Sequence, residues 1–246
     1  MYHFFVKPEA VSGGNAVITG PDVNHIGNVL RMKPGEEVLL STGEDWDYLC
    51  TIREITREEV LLSVKEENRS VRELPASITL YQGYPKSDKL EWIIQKAVEL
   101  GVSRVVPVLT KRTVVKPDPK KEEAKTRRLQ GIAESAAKQS GRQRIPEIGR
   151  PVKFAAALSE ASAADVKLIP YECAEGMERT RRIIRDVKPG QAVAVFIGPE
   201  GGFEESEVRE AEARGFEAVT LGKRILRTET AGLVMLSLLM SELEED

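Results

Sequence analysis

Residues Phe196 to Val208 read FIGPEGGFEESEV. An apolar run, AVAVFIG, stops at Pro-Glu-Gly-Gly, and an acidic, helix-like stretch begins at once. A short run that is apolar throughout is what a buried parallel strand needs, because both of its faces are covered. The segment therefore reads as strand, tight turn, helix. Gly198 and the pair Gly201-Gly202 leave room for a ligand against the backbone, and Pro199 stiffens the turn. In open α/β sheets, ligands lie beyond the carboxyl ends of the strands. The competing reading is a plain tight turn. A phosphate-binding loop needs Gly-Lys-Ser/Thr, and a dinucleotide site needs G-x-G-x-x-G near the first strand. The chain has neither here, and Glu200 would repel a pyrophosphate. A ligand without phosphate is the better fit.

On either side of this turn, strands and helices alternate. ITLYQGY reads as a strand, SDKLEWIIQKAVELG as a helix with Ser87 or Asp88 as N-cap, and RVVPVL as the next strand. DPKKEEAKTRRLQGIAESAAKQSG follows as a helix capped by Asp118 and ended by Gly141. VKLIPYE and EAVTLG are further strands, and TETAGLVMLSLLMSELEED is a closing helix, with Thr228 or Thr230 available as its cap. Such alternation predicts an α/β domain with a parallel sheet. Two more segments lie at strand ends. One is LGKRILRTETAG, Leu221 to Gly232, and the other is Tyr171-Glu172 in VKLIPYECAEG. Three such loops can converge on one pocket of backbone groups and Leu/Ile side chains, which suits an adenine and a ribose.

The first 73 residues differ. AVIT, EEVLLST, DYLCTIREI and EVLLSVKE are short strands separated by Gly13-Gly14, Pro34-Gly35 and Thr42-Gly43. One helix, PDVNHIGNVLRM, interrupts them. A small β-barrel with a single helix is expected over residues 1–73, then a polar linker, ENRSVRELPA, and the α/β domain over 74–246.

Composition narrows the classes. Apolar residues make up 41%, enough for a core, and charged residues 30%. MYHFFVKPEA lacks a basic segment followed by an apolar one, so no signal peptide is indicated, and a cytoplasmic protein is expected. Cys50, Cys173, His3 and His25 are all the cysteines and histidines present, too few and too scattered for a zinc site or a disulfide framework. The net charge of −3 hides a segregation: residues 76–150 carry +8, and the flanking thirds are acidic. Screening confines each charge to a Debye length of ~8 Å, so a basic middle can bind a polyanion within an acidic chain. A merely solvated helix face accounts for the charge equally well.

GPEGGF followed by LGKRILRTETA resembles the signature of the SPOUT-class RNA methyltransferases. With YPKSDKLEWIIQKAVELGV, ESAAKQSGRQRIPEI and the N-terminal HIGNVLRMKPGEEV, the chain is similar over nearly its whole length to the RsmE family. That resemblance implies methylation of N3 of one uridine in 16S ribosomal RNA. It also implies a PUA-like RNA-binding barrel, a SPOUT-type domain with a trefoil knot, S-adenosyl-L-methionine as cofactor and a homodimer. Carried onto this sequence, the cofactor pocket falls on Pro170, Tyr171 and Glu172, on Ile197, Gly198, Pro199, Glu200, Gly201 and Gly202, and on Leu221, Gly222, Ile225, Leu226, Arg227 and Thr228, with Ala231 behind.

The reaction takes a proton from uracil N3 and adds a methyl group there. Negative charge spreads to O2 and O4, where an arginine would stabilise it. Arg142 and Arg227 are the candidates. Arg142 serves equally well as a phosphate contact, and Arg227 as a partner of Glu229 or Glu200. Glu200, Glu172 and Glu229 are candidate bases, Glu200 with an orienting role as the first expectation. For RNA contact the candidates are Lys111, Arg112, Lys116, Lys120, Lys121, Arg127, Arg128 and Arg144, with His25 and Arg31 from the barrel. No metal is called for. The alternatives are a methyltransferase acting on transfer RNA or on a ribose 2′-oxygen, and a non-catalytic RNA-binding protein.

Overall fold

The computed structural model of the chain describes residues 1–69, 72–115, 117–174 and 176–244. It divides into two compact units, one of Met1–Glu73 with Ala137–Ile145, the other of Leu74–Ala136 with Pro146–Asp246.

The first unit holds β1 (Tyr2–Phe5), β2 (Val11–Ser12), β3 (Asn15–Thr19), a short helix α1 (Pro21–Asn24), β4 (Glu37–Ser41), β5 (Trp46–Ile55) and β6 (Glu59–Arg69). The strands pair in the order β1-β4-β5-β6-β3-β2, and only β1 with β4 is parallel. Alternation along β3 and β4 sends Ala16, Ile18, Val38 and Leu40 inward, where they meet Phe4, Ile26, Ile52 and Leu62. The expected helix over PDVNHIGNVLRM is present but changes pitch. After Asn24 it continues through His25–Val29 as a π-turn, with the Leu30 N–H donating to the His25 carbonyl at 2.8 Å. The wider turn keeps Ile26 buried while Val29 stays exposed. β1 lay outside the expectation: YHFF is too short to show a period, and it is a strand because it pairs with β4.

The second unit contains β7 (Ser77–Gly83), α2 (Lys89–Glu99), β8 (Arg104–Leu109), α3 (Pro119–Ser140, whose last residues belong to the first unit), β9 (Glu147–Ile148), β10 (Val152–Lys153), α4 (Phe154–Glu160), β11 (Val166–Pro170), α5 (Met177–Arg185), β12 (Ala192–Ile197), α6 (Glu205–Ala213), β13 (Glu217–Val219) and α7 (Thr228–Leu243). Its sheet runs β10-β8-β7-β12-β11-β13, with β9 also on β8, and every pairing is parallel. Both faces are covered, which is why these strands are apolar runs without alternation. Phe196 centres one face, stacked on Tyr81 at 4.5 Å and met edge-on by Phe154 and Phe216.

Two expected caps are absent. Asp88 stands before α2 but its side chain makes no capping bond, and the residue before α7 is Arg227, not a threonine. Asp118 does cap α3, its carboxylate accepting from the Lys120 N–H at 3.0 Å. At α6 the cap is Glu204, in a reciprocal box with Glu207.

Candidate active site

β12, β11 and β13 lie side by side, so their carboxyl ends open at one rim. Three loops leave that rim and enclose a cavity of about 380 Å³. The loop after β11 contributes Pro170, Tyr171 and Glu172; that after β12 contributes Ile197 to Phe203; that after β13 contributes Thr220, Leu221, Gly222 and Arg224 to Thr228. Ala231 of α7 and Lys89 of α2 complete the wall. The sixteen residues that the resemblance assigns to a cofactor pocket or its rim are thus brought together. Lys89, Phe203, Thr220 and Arg224 join them unforeseen.

Backbone proximity explains the glycines. A Cβ on Gly83, at the end of β7, would lie 2.4 Å from the Pro199 nitrogen, so only glycine lets β7 pass the β12 turn. Gly202 has φ +68 and Gly222 φ +115, conformations that side-chain-bearing residues rarely adopt.

The loops are tied by buried polar groups. Gln82, fully buried on β7, donates from Nε2 to Thr228 Oγ1 at 2.8 Å. Thr228 Oγ1 in turn donates to the Gly198 carbonyl at 2.6 Å. This is why Thr228 does not cap its own helix: its hydroxyl is committed to a neighbouring loop. The Gly222 N–H donates to Thr220 Oγ1 at 3.2 Å, and the Thr220 carbonyl accepts from Thr180 Oγ1 at 3.0 Å. From the far side, Arg112 donates to the Gly201 carbonyl at 2.8 Å, and the Lys111 N–H to the buried Glu207 carboxylate at 2.9 Å.

Charge at the cavity is organised by Lys89. Its ammonium lies 3.3 Å from Glu200 and 3.3 Å from Glu229. The Lys86 N–H also donates to Glu200, at 3.0 Å. Burial pushes the Glu200 carboxyl upward, but these donors and Lys89 outweigh it and hold the group below its ordinary value. Glu200 is therefore a firmly ionised, weakly basic anchor. Because Lys89 takes both carboxylates, Arg227 does not pair with Glu229 or Glu200 as its bland alternative required. It lines the cavity with its guanidinium exposed.

The other candidates fall elsewhere. Arg142 is absent from the cavity wall; its buried guanidinium is bound by Glu73, which also accepts from the Gln143 and Arg144 N–H groups. Arg144 pairs with Asp45 at 3.0 Å. Arg127 pairs with Glu123 and Arg128 with Glu91, both at 2.9 Å, and Lys111 is 3.5 Å from Glu204. Apart from Arg142, these cations are exposed and meet their carboxylates at the surface, pairings the charge count could not reveal. Lys120, Lys121, His25 and Arg31 are exposed. Lys116 lies outside the described residues. Sequence reading had one usable signal for Lys89, a cation in the first turn of a helix, where the dipole disfavours it. Gln82 was likewise a lone amide in an apolar strand.

Parallel strands whose adjacent ends carry glycine-bearing loops around one cavity define an α/β domain that takes its ligand at the carboxyl rim of its sheet. Residues 72–240 match the RNA methyltransferase domain family and residues 18–65 the RNA methyltransferase PUA domain family. The ribosomal RNA small subunit methyltransferase E of Bacillus subtilis is 36% identical over 92% of this chain and 90% of its own. A ribosomal RNA small subunit methyltransferase E from Neisseria gonorrhoeae, solved bound to S-adenosyl methionine, aligns with TM-score 0.84 at 31% identity, covering 98% of this chain and 97% of that one. A putative methyltransferase from Legionella pneumophila, also solved with the cofactor bound, gives TM-score 0.85 at 32% identity over 98% and 97%. The chain belongs to the RNA methyltransferase family, in its ribosomal RNA small subunit methyltransferase E branch.

Proposed function

We propose that the protein methylates N3 of one uridine of 16S ribosomal RNA with S-adenosyl-L-methionine as donor. The observation that carries this is the convergence of the three loops on one cavity. The cavity fits the donor chemically. Leu221, Leu226 and Ile197 offer apolar walls for an adenine, and the glycine turns offer backbone groups to a ribose. Glu172, exposed at the cavity, would supply negative charge to a sulfonium. Ile225 lines the same cavity but is 83% exposed.

When bound, the donor supplies an electrophilic methyl group, and the protein's task is alignment and charge control. Arg227, paired with no carboxylate among the described residues, offers its guanidinium to the charge that gathers on uracil O2 and O4. Glu200 orients the β12 turn through Lys86 and Lys89. It does not remove the N3 proton, since a carboxylate held low is a poor base. Glu172, exposed at the cavity, is the better-placed carboxylate to receive that proton.

A trefoil knot and a homodimer belong to the same reading. The first rests on the family resemblance. The half-buried apolar residues Leu233, Val234 and Leu238 of α7, with Trp92 of α2 left 46% exposed, support the second. No helix among the described residues is long and apolar enough to cross a membrane. The test is incubation with labelled donor and small-subunit RNA lacking the modification, followed by mapping. Label at a uridine N3 supports the reading, and label on a ribose or on transfer RNA alone rejects it.

A further inference from the structure

We propose that the exposed tip Lys223-Arg224-Ile225 is the surface that grips the RNA strand at the target site, Ile225 filling the gap left when the base turns out. The proposal rests on the methyltransferase reading above and adds where the strand lies. Three observations carry it.

The first is charge. Lys111, Arg112, Arg127 and Arg128 are engaged by protein carboxylates or carbonyls. The side chains of Lys223 and Arg224 donate to no group among the described residues and are exposed. Two adjacent cations without a partner suit a chain of phosphates, and phosphate contacts are what set register on a strand.

The second is position. Arg224 and Ile225 line the same cavity as Gly198 and Leu226, so the tip stands at the cavity's wall and its rim. The stem beneath is held by Thr220 on the Gly222 N–H and by Thr228 on Gly198.

The third is Ile225. It is 83% exposed, more than any other large apolar residue described. One exposed aliphatic residue is ordinary, but this one sits between cations at the cavity. N3 lies on the pairing edge of uracil, so the base must leave its stack before it can be methylated. An apolar side chain that enters the vacated step offsets part of the unstacking cost.

The experiment uses the full chain, S-adenosyl-L-methionine, and a single-stranded 16S fragment with 2-aminopurine next to the target uridine. Donor affinity, RNA affinity across salt concentrations, and single-turnover rate are measured. For Lys223→Ala, which is not part of the cavity wall, we expect the slope of log affinity against log salt to shrink by about 0.7, one contact on a single strand, with donor affinity unchanged; adding Arg224→Ala should bring the total to about 1.4. For Ile225→Ala we expect RNA affinity near wild type, a rate about tenfold lower and a loss of the 2-aminopurine rise that marks the unstacked base. An unchanged slope and rate overturn the proposal. So does a loss of donor affinity in Lys223→Ala equal to its loss of RNA affinity, which would make the whole tip a cofactor wall, or a shift in sedimentation, which would make it a contact between subunits. Wild-type protein that transfers no methyl group defeats the underlying reading. Active wild type with wild-type-like variants defeats this proposal alone.

Discussion

The Thr228 hydroxyl donates to the Gly198 carbonyl at 2.6 Å, tying the first residue of the last helix to a turn thirty positions earlier in the chain. Gln82 donates to the same hydroxyl. Thr228→Val keeps the shape and removes the donor. It leaves Gly198 without this partner and Gln82 Nε2 with only the Gly83 carbonyl. An unmet buried polar group costs about 1–3 kcal/mol, so donor affinity should fall roughly tenfold with the fold retained. Thr228→Ser should restore it. Calorimetric titration decides, and equal affinity in all three proteins would reject the tie.

Lys89 makes a second prediction through pH. Its ammonium is one of the groups that hold Glu200 below the ordinary carboxylate value. Glu200 must be ionised to anchor the β12 turn on the Lys86 N–H, so activity is lost as pH falls through its folded value. Lys89→Met removes the charge and lets that value rise. The acid limb of kcat/KM should therefore move to higher pH, and Lys89→Arg should bring it back. A Lys89→Met profile superimposable on wild type would show that the carboxylate is held by backbone donors alone.

The three cavity loops were legible because each couples an apolar strand to glycine or proline at its carboxyl end, a local pattern. What escaped was the partner of each polar group. Thr228 read as a cap because hydroxyls before helices usually are; its true acceptor is on another loop. Arg142 read as catalytic or phosphate-binding because it lies in a basic segment, and nothing local announces Glu73, sixty-nine residues away. The basic excess of residues 76–150 is real, yet carboxylates from outside that stretch, such as Glu73 on Arg142 and Glu204 on Lys111, meet part of it. Charge counts are additive along a chain, and ion pairs are not.

His3 tests the first unit. Its ring meets Ser41 Oγ at 2.8 Å, and Ser41 in turn donates to the buried Asp47, which also binds Arg72. Burial is the largest influence on His3 and lowers its pKa from 6.5 to about 4, against the opposing pull of Asp47. The folded ring is therefore neutral where the unfolded one begins to take a proton. Stability is unaffected above pH 6.5, falls as pH drops from 6.5 to 4, and levels off below. The loss is at most about 3 kcal/mol. His3→Gln should flatten this dependence. Melting temperatures at pH 7 and pH 5 check it, and the same drop in both proteins would clear His3 of the effect.

Glu73 and Arg142 provide the sharpest separation of structure from catalysis. Only 6% of the Arg142 side chain is exposed, and Glu73 receives its guanidinium together with two backbone N–H groups of the following residues. Removing one partner of a buried pair is destabilising, by about 3–5 kcal/mol. Glu73→Ala should therefore melt well below wild type, and Arg142→Ala nearly as far, because the carboxylate keeps its backbone donors. Replacing both with a well-fitting apolar pair, Glu73→Leu/Arg142→Met, should recover much of the loss. Single-turnover rates of the recovered double variant, measured below its melting range, then decide the role of Arg142. A rate near wild type assigns it to the scaffold. A rate lower by about a hundredfold, the scale of one lost oxyanion donor, would return it to the chemistry.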